Sequence, residues 1–315
     1  MATHKHVLRK KLKTSGLALA MLLTNSAAGQ QISGNEKAPG NSWAVEQNRT
    51  AAWRLAQHDK LGTAIAKLKP QRSGVVDVYI VSIGLDSDPV FGREADEAAK
   101  VLSSRYRASG RAIFLAAGAD EKSTGVPQGS PPNLAVALTA VAGKMDLKED
   151  VLILYATTHG DPVTGLAYRD GNNGVGMIAP DRLASLLDGI GFKRRMVLLS
   201  ACFSGIFIPK LANANSIIMT AASSKRTSFG CAPGNDWTFF GDALVNNALR
   251  KPQSFDKAAD EAVSFVTKWE NDLDLVPSLP QIFVGDKARI WLTPLEARMP
   301  KKETPKVGRP AVEST

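Results

Sequence analysis

The sequence is poor in the residues that build metal centres and disulfide-rich scaffolds. Its 315 residues include only two cysteines and four histidines, and two of the histidines lie at positions 4 and 6. Two cysteines exclude a fold held together by many disulfides. A zinc site needs three or four converging ligands, so we predict no metal and no cofactor. No apolar run reaches the roughly 20 residues that a membrane-spanning helix needs. The sequence therefore favours a soluble globular protein of one or two domains.

Nucleotide-binding loops are also missing. Gly84 ends the first strongly apolar strand of the sequence, but the residues 85–89 that follow it contain no Gly-x-Gly-x-x-Gly pattern. No Walker-type phosphate loop occurs either. A dinucleotide-dependent oxidoreductase and a P-loop enzyme are therefore not predicted.

The positive charge of the chain is concentrated at its N-terminus. The formal net charge is +9, but five of the 39 basic residues and no acidic residue fall within residues 1–28. A basic start, an apolar run over 16–23 and small residues at 26–29 are typical of a secretory signal peptide. We predict cleavage near Ala28 and export to the periplasm or the extracellular space. The alternative is an uncleaved basic N-terminal helix.

Without the predicted signal peptide the charge argument for nucleic-acid binding disappears. The remaining chain has 34 basic and 30 acidic residues, which gives a formal charge of +4. A nearly balanced surface gives no reason to expect a nucleic-acid partner. We likewise expect no stable membrane insertion once the signal peptide is removed.

Beyond the predicted signal peptide, apolar strands alternate with helices. Residues 29–73 predict a flexible leader and a helix over Trp43–Leu68, and residues 300–315 predict a disordered Lys/Pro-rich tail. Between them, residues 74–299 predict one α/β domain with a mostly parallel sheet covered by helices on both faces. The predicted strands are Val75–Gly84, Ala112–Ala116, Val151–Tyr155, Met196–Ser200, Ser216–Thr220 and Gln281–Val284. The predicted helices cover about 94–107, 132–144, 180–187, 238–249 and 255–269.

A histidine and a cysteine follow two successive strands of this predicted sheet. His159 and Gly160 come after Val151–Tyr155, and Cys202 comes after Met196–Ser200. Ligands of parallel sheets bind beyond the carboxyl ends of strands, and neighbouring strands lie about 4.8 Å apart. The two side chains can therefore share one crevice, where an imidazole takes the thiol proton or stabilises the thiolate. The backbone N–H groups of Gly160 and Cys202 are candidates for an oxyanion hole.

Each of these residues also has an ordinary structural interpretation. Cys202 is compatible with a small buried apolar side chain, and His159 with a turn residue. Cys202 and Cys231 are compatible with a disulfide in an oxidising compartment. Two other functions stay open: a non-catalytic binding or scaffold protein, and an acyl hydrolase or transferase that acts on a non-protein substrate. The matched positions of the histidine and the cysteine favour catalysis over the structural interpretations.

Several blocks of the sequence resemble the legumain-type cysteine peptidases (asparaginyl endopeptidases) of the caspase-like clan. Two blocks are the His-Gly and Ala-Cys-x-Ser-Gly segments at residues 159–160 and 201–205. A third, Thr220–Cys231, contains consecutive hydroxyl residues, an aromatic residue and a cysteine, and a Gly-Asp pair follows it at 241–242. A weaker fourth block is Arg-Glu-Ala-Asp at residues 93–96.

The resemblance covers about residues 75–285 and carries expectations about fold and activity. It implies a caspase-like three-layer α-β-α sandwich with a mostly parallel central sheet. It also implies an endopeptidase that cleaves peptides or proteins through an acyl-enzyme on Cys202, with His159 as general base and acid.

The family's specificity pocket maps onto four polar residues of this chain: Arg93, Thr227, Ser228 and Asp242. An arginine beside a carboxylate and hydroxyl groups can hold an amide or a carboxylate side chain. The resemblance therefore implies cleavage after a polar residue, Asn or Asp. Arg93 and Asp242 are equally typical of a surface ion pair or of a charge at a helix end.

The sequence departs from the family at two places. Phe203 follows the predicted nucleophile, where the family has an acidic residue. The asparagine that orients the family's histidine has no clear equivalent before Arg93, and Asp86 and Asp88 are the available substitutes.

Overall fold

A six-stranded, mostly parallel sheet forms the centre of the protein. The computed structural model describes residues 43–118 and 125–314, so the predicted signal peptide and the first part of the leader lie outside the described residues. The strands of the described residues are β1 (Val45–Glu46), β2 (Val78–Gly84), β3 (Ala112–Ala116), β4 (Val151–Thr157), β5 (Gly160–Asp161), β6 (Gly165–Asp170), β7 (Gly174–Ile178), β8 (Arg195–Ser200), β9 (Ser216–Thr220) and β10 (Gln281–Val284). The central sheet has the order β10-β9-β8-β4-β2-β3, and only β10, at one edge, runs antiparallel to its neighbour.

Helices cover both faces of the central sheet. They are α1 (Ala51–Ala66), α2 (Pro89–Arg105), α3 (Pro131–Ala142), α4 (Pro180–Ile190), α5 (Ile208–Leu211), α6 (Phe239–Gly241), α7 (Phe255–Asp272) and α8 (Ala288–Ala297). α6 continues as a π-helical turn over Asp242–Asn247 and a short 3₁₀ turn over Ala248–Arg250. None of the helices in the described part of the chain is long and apolar enough to cross a membrane.

Alternating side chains of the strands feed two separate apolar cores. On β2, Ile80 packs with α2, α7 and α8 on one face, whereas Tyr79 and Val81 pack with α1, α3 and α4 on the other. This alternation is the period of two that every β-strand has. Both faces are apolar because both are covered, as is usual for parallel sheets. The predicted fold class, a three-layer α-β-α sandwich with a mostly parallel sheet, is confirmed.

The central strands lie where the sequence predicts them. The structure also contains a second sheet that the sequence does not predict. β3, β9 and β10 have the predicted bounds, and β4 extends two residues further than predicted, to Thr157. None of the predicted strands lies in the Gly-rich connection between β4 and α4. This connection forms β5, β6 and β7, which pair antiparallel, and β1 pairs with β7 at the edge. These strands are short and contain glycine, so their sequences carry little of the usual strand pattern.

The N-terminal helix is shorter than predicted. Helix α1 begins at Ala51 rather than at Trp43, because the side chain of Thr50 accepts a hydrogen bond from the backbone N–H of Trp53 at 3.1 Å and caps the helix. Leu61 and Leu68 are buried against the central sheet. The element therefore packs on the α/β domain.

The C-terminal segment is ordered against the domain, which corrects the prediction of a disordered tail over 300–315. Ala311 is fully buried, and its N–H donates to Oδ2 of Asp242 at 2.7 Å. The indole N–H of Trp237 donates to the carbonyl of Val307 at 2.9 Å. The segment has few apolar side chains, and for that reason the sequence predicts disorder. Hydrogen bonds between its backbone and the domain hold it in place instead.

We predict that Asp242→Ala destabilises the protein, because Asp242 anchors this C-terminal segment. Its carboxylate also accepts hydrogen bonds from the side chains of Asn246 and Asn247, and only 1% of the residue is exposed. Loss of the carboxylate leaves buried donors without partners, at a cost of about 2–3 kcal/mol. The melting temperature should fall by roughly 5–10 °C.

The matched control is Asp256→Ala, which removes a solvent-exposed carboxylate that pairs with Arg289. Exposed ion pairs contribute roughly 1 kcal/mol or less, so this variant should melt within a few degrees of the wild type. Equal melting temperatures for Asp242→Ala and the wild type, measured by differential scanning calorimetry, would contradict the anchoring role.

Candidate active site

The register of β4 against β8 brings the histidine and the cysteine together. Thr157 of β4 is paired with Ser200 of β8, and the N–H of Thr158 donates to the carbonyl of Ser200 at 3.1 Å. His159 and Cys202 each lie two residues beyond this pair. Both side chains therefore leave the sheet at its carboxyl edge, and both are half-buried.

The glycine after the histidine is required by the close approach of the two chain segments. A Cβ atom on Gly160 would overlap the backbone carbonyl oxygen of Cys202. Only glycine lets the backbone at this point lie against the backbone of the cysteine. The proposed oxyanion-hole residues are thus in direct contact, and their role stays a prediction.

The thiol of Cys202 is surrounded by hydrogen-bond donors from the segment after β9. The N–H of Ser228 donates to its Sγ at 3.3 Å, and the hydroxyl of Ser228 lies 3.7 Å from the same atom. Phe203, the next residue, adopts a left-handed conformation with φ of 56° and donates its N–H to the carbonyl of Arg226 at 2.8 Å. This turn directs the cysteine side chain toward the Ser228 segment.

The surroundings of Cys202 favour its thiolate. The neighbouring thiol of Cys231 is the main cause that lowers the pKa of Cys202 to about 6, and its effect outweighs the burial that opposes ionisation. Hydrogen bonds from Ser228 and the positive charge of a protonated His159 lower this pKa further. A cysteine with such a pKa is ionised at neutral pH and is a ready nucleophile.

Cys231 is the residue with the largest effect on the pKa of Cys202. The neighbouring Cys202 and burial raise the pKa of Cys231 well above the ordinary value of a thiol. Both cysteines are free thiols, so the structure does not contain the disulfide that the sequence left open. Cys231 ends the same sequence block that contains Ser228, whose backbone N–H bonds the sulfur of Cys202.

His159 faces a carboxylate that is itself held by an arginine. Nε2 of His159 lies 3.5 Å from Oδ2 of Asp88, and the ring packs edge-on against Phe91 with 5.0 Å between centroids. Nη2 of Arg169 lies 2.8 Å from the same Oδ2 atom. Asp86 and Asp88 are the available substitutes for the family's orienting asparagine. Asp88 is the one beside the histidine, whereas Asp86 binds the backbone N–H of Asp88 and the side chain of Arg169.

Arg169 is a site residue that the sequence does not reveal. Its Nε and Nη2 atoms each donate to the buried Asp86 carboxylate at 2.9 Å, and Asp86 in turn accepts from the N–H of Asp88 at 2.9 Å. Arg169 lies on β6, in the connection whose strands carried no clear pattern. No local signal could have linked it to His159, because the contact depends on the second sheet.

The same cluster brings three possible metal-ligating side chains together. One ligand atom each from Asp86, Asp88 and His159 lie within 4.8 Å of one another. The guanidinium of Arg169 already pairs with both carboxylates. The arrangement is therefore two carboxylates bridged by one arginine.

The predicted specificity residues are only partly brought together. Ser228 contacts the thiol, and Thr227 precedes it as an exposed residue. Asp242 does not reach the site: it is buried beneath the C-terminal segment, which corrects its assignment to the pocket. Its carboxylate oxygens accept hydrogen bonds from Ala311, Asn246 and Asn247.

Arg93 is also engaged away from the thiol. Its Nη2 donates to the carbonyls of Pro233 and Asn235, and its Nε lies 3.7 Å from Asp236. The half-exposed guanidinium therefore holds a surface loop, which is the surface ion pair that the sequence left open. Arg93 starts from the predicted pocket position on α2 but turns toward this loop.

Glu94, the residue after Arg93, has a buried side chain whose role no sequence pattern indicates. The carboxylate of Glu94 is fully buried and accepts hydrogen bonds from the hydroxyl of Tyr155 at 2.7 Å and from the N–H of Thr238 at 2.8 Å. The hydroxyl of Thr238 lies 2.9 Å from that of Ser200, at the end of β8. Glu94 thus connects α2, β4 and the chain before α6 directly behind the candidate site.

A family model matches the part of the chain that contains the candidate pair. Residues 137–268 match the Peptidase C13 family. The resemblance to legumain-type peptidases is confirmed over this range. The matched range includes His159, Cys202, Ser228 and Cys231, and the match supports a cysteine-type peptidase that acts on peptides or proteins. No curated protein sequence matches the chain.

Two solved caspase structures are similar to the chain. The first is the crystal structure of caspase-1 from Spodoptera frugiperda, with 16% identity and a TM-score of 0.42, over 66% of this chain and 85% of that one. The second is the structure of pro-sf-caspase-1, with 13% identity and a TM-score of 0.41, over 68% of this chain and 92% of that one.

We predict that Cys231→Ala makes the thiol of Cys202 less acidic. The variant lacks the neighbouring thiol that most lowers the pKa of Cys202, so this pKa should rise from about 6 toward its ordinary value. The thiolate fraction at pH 7 should then fall. The rate of iodoacetamide alkylation of Cys202, followed from pH 4 to pH 10, measures this midpoint directly, because only the thiolate reacts.

The matched control is Cys231→Ser, which keeps an O–H donor at the same position. Its alkylation midpoint should lie between those of the wild type and Cys231→Ala. An unchanged midpoint in Cys231→Ala would show that Cys231 does not set the acidity of Cys202.

Proposed function

We propose that the protein is a cysteine endopeptidase in which Cys202 is the nucleophile and His159 the general acid and base. The observation that carries this proposal is the β4–β8 register, which places both residues two positions beyond a paired residue at the same edge of the sheet. The Peptidase C13 match over both residues supports it. The hydrogen bonds to the sulfur of Cys202 also support the proposal, because they stabilise its thiolate before substrate binds.

The chemistry follows from these groups. The thiolate of Cys202 attacks the carbonyl carbon of the scissile bond, and the carbonyl oxygen takes up the negative charge. N–H groups of Gly160 and Cys202 stabilise this oxyanion. Protonated His159 then gives its proton to the leaving amine, and a thioester remains on Cys202. His159 next takes a proton from water, which hydrolyses the thioester and restores the thiolate.

Asp88 has a supporting part in this mechanism. Its carboxylate lies beside Nε2 of His159, and Arg169 and the Asp88 backbone are both fixed by the buried Asp86 carboxylate. A carboxylate in this place stabilises the protonated imidazole and limits its rotation. The positive charge of Arg169 offsets part of the repulsion between the two carboxylates beside the histidine.

We further propose that cleavage follows a polar residue, Asn or Asp. Support comes from the Peptidase C13 match, from the hydroxyl of Ser228 beside the thiol and from the exposed Thr227 that precedes it in the chain. Hydroxyl groups donate to an amide or carboxylate oxygen and accept from an amide N–H. Arg93 and Asp242 are not part of this proposal, because both side chains are bound elsewhere.

We predict that Cys202→Ala and His159→Ala each reduce cleavage of a peptide library by on the order of a thousandfold or more. The double variant should be little slower than either single variant, because the two side chains act as a unit. Cleavage sites identified by mass spectrometry should show Asn or Asp before the broken bond. Circular dichroism checks that each variant is folded.

A well-folded Cys202→Ala protein that cleaves peptides at the wild-type rate would overturn the assignment of the nucleophile. Cleavage that depends on Cys202 but follows residues other than Asn and Asp would overturn only the proposed preference.

We also propose that the protein is exported after removal of residues 1–28. The basic start, the apolar run and the small residues near Ala28 support this location. Intact-mass measurement of the protein from an extracytoplasmic fraction should show a chain that begins near residue 29. Recovery of the full-length chain from the cytosol alone would contradict export.

A further inference from the structure

The C-terminal segment reaches the loop that follows the nucleophile's hydrogen-bond donor. The N–H of Arg309 donates to Oδ2 of Asp236 at 2.8 Å, and its Nε lies 3.4 Å from the same oxygen. Nη2 of Arg309 donates to the carbonyl of Gly234 at 2.7 Å. Arg309 and Asp236 are 73 residues apart in the chain, so only the fold brings them together.

A glycine allows this close approach of the C-terminal segment. Gly308 has a φ of 72°, and a Cβ atom there would lie 3.0 Å from Cβ of Asp236 and 3.1 Å from Nε1 of Trp237. Glycine adopts such a φ without the steric cost that other residues have. The indole N–H of Trp237 donates to the carbonyl of Val307 at 2.9 Å. The C-terminal segment is therefore fixed against residues 234–237.

A second arginine holds the same loop from α2. Nη2 of Arg93 donates to the carbonyl of Pro233 at 3.1 Å, and its Nε lies 3.7 Å from Oδ1 of Asp236. Asp236 thus lies between two guanidinium groups from different parts of the chain. The side chains of Arg93 and Arg309 are 44% and 62% exposed. Exposed ion pairs add little stability, so these contacts fix the position of the loop more than they stabilise the domain.

The loop is connected to the nucleophile by further hydrogen bonds. The side-chain amide of Asn235, next to Asp236, donates to the carbonyl of Gly230 at 3.0 Å. The N–H of Phe239 donates to the carbonyl of the residue before Gly230, also at 3.0 Å. These bonds fix the two residues that follow Ser228, whose N–H donates to the sulfur of the nucleophile at 3.3 Å.

We propose that Asp236 and Arg309 are positioning residues for Cys202, so that the C-terminal segment is part of the architecture of the active site. They act on the sulfur through the loop and through the N–H of Ser228, and they take no part in the chemistry. The consequence for peptide cleavage rests on the proposed function. The consequence for the reactivity of the thiol depends on the Ser228 contact alone.

The test compares full-length Asp236→Ala, Arg309→Ala and the double variant with the wild type. The pH midpoint of Cys202 alkylation by iodoacetamide should rise in each variant, because the N–H of Ser228 is no longer held at the sulfur. For a peptide that the wild type cleaves, kcat should fall by about tenfold or more while KM stays within about twofold, because the reacting group is misplaced. The double variant should be little slower than either single variant, because both changes break the same contact.

Two further variants separate positioning from stability. Asp236→Asn keeps an oxygen that accepts from the N–H of Arg309, so it should keep most of the wild-type kcat. Arg289→Ala removes an exposed cation that pairs with Asp256, and it should leave the alkylation midpoint and kcat unchanged. All these variants should melt within a few degrees of the wild type, because exposed ion pairs contribute little to stability.

The outcomes separate this inference from the proposed function. A wild-type midpoint and kcat in Asp236→Ala and Arg309→Ala would overturn the inference and leave the proposed peptidase intact. A loss of kcat that accompanies unfolding in circular dichroism, and that Asp236→Asn does not recover, would also overturn it, because the role is then structural. A raised midpoint in folded variants of a protein that never cleaves peptides would support the inference and overturn the proposed function.

Discussion

The backbone ladder between β4 and β8 is the constraint on which the candidate site depends. It sets Thr157 opposite Ser200, and the short continuation beyond this pair fixes where His159 and Cys202 leave the sheet. A slip of one residue in either strand would turn the side chains to the opposite face. The register is strongly specified because both strands are buried on both faces. Packing of two apolar cores thus determines the position of a polar pair.

The loop that borders the thiol is stabilised by groups that themselves take no part in the chemistry. Arg93 binds the carbonyls of Pro233 and Asn235, and Glu94 accepts from the N–H of Thr238. The C-terminal segment adds the bond between Trp237 and the carbonyl at residue 307. Ser228 and Cys231 lie on the preceding part of the same chain segment. Two neighbouring residues of α2 and the C-terminal segment therefore support the surroundings of the nucleophile.

Charge is balanced separately on the two sides of the candidate pair. On the histidine side, Arg169 pairs with Asp86 and Asp88, so that an imidazolium meets a carboxylate already held in position. On the cysteine side no arginine or lysine takes part in the described contacts of the sulfur, and thiol and N–H donors stabilise the thiolate instead. Hydrogen-bond donors stabilise an anion without adding a competing ion pair.

The sequence by itself determined the central strands, the helices between them and the pair His159 and Cys202. These features follow from local patterns: continuous apolar runs mark buried strands, and the ends of parallel strands meet at one edge. Only the tertiary structure decided the rest. Arg169 reached the site through a second sheet, Asp242 turned out to hold the C-terminal segment, and Ser228 turned out to bond the sulfur of Cys202. Each of these roles is a contact between segments distant in the chain, and local sequence patterns carry no information about which distant polar groups will be buried against each other.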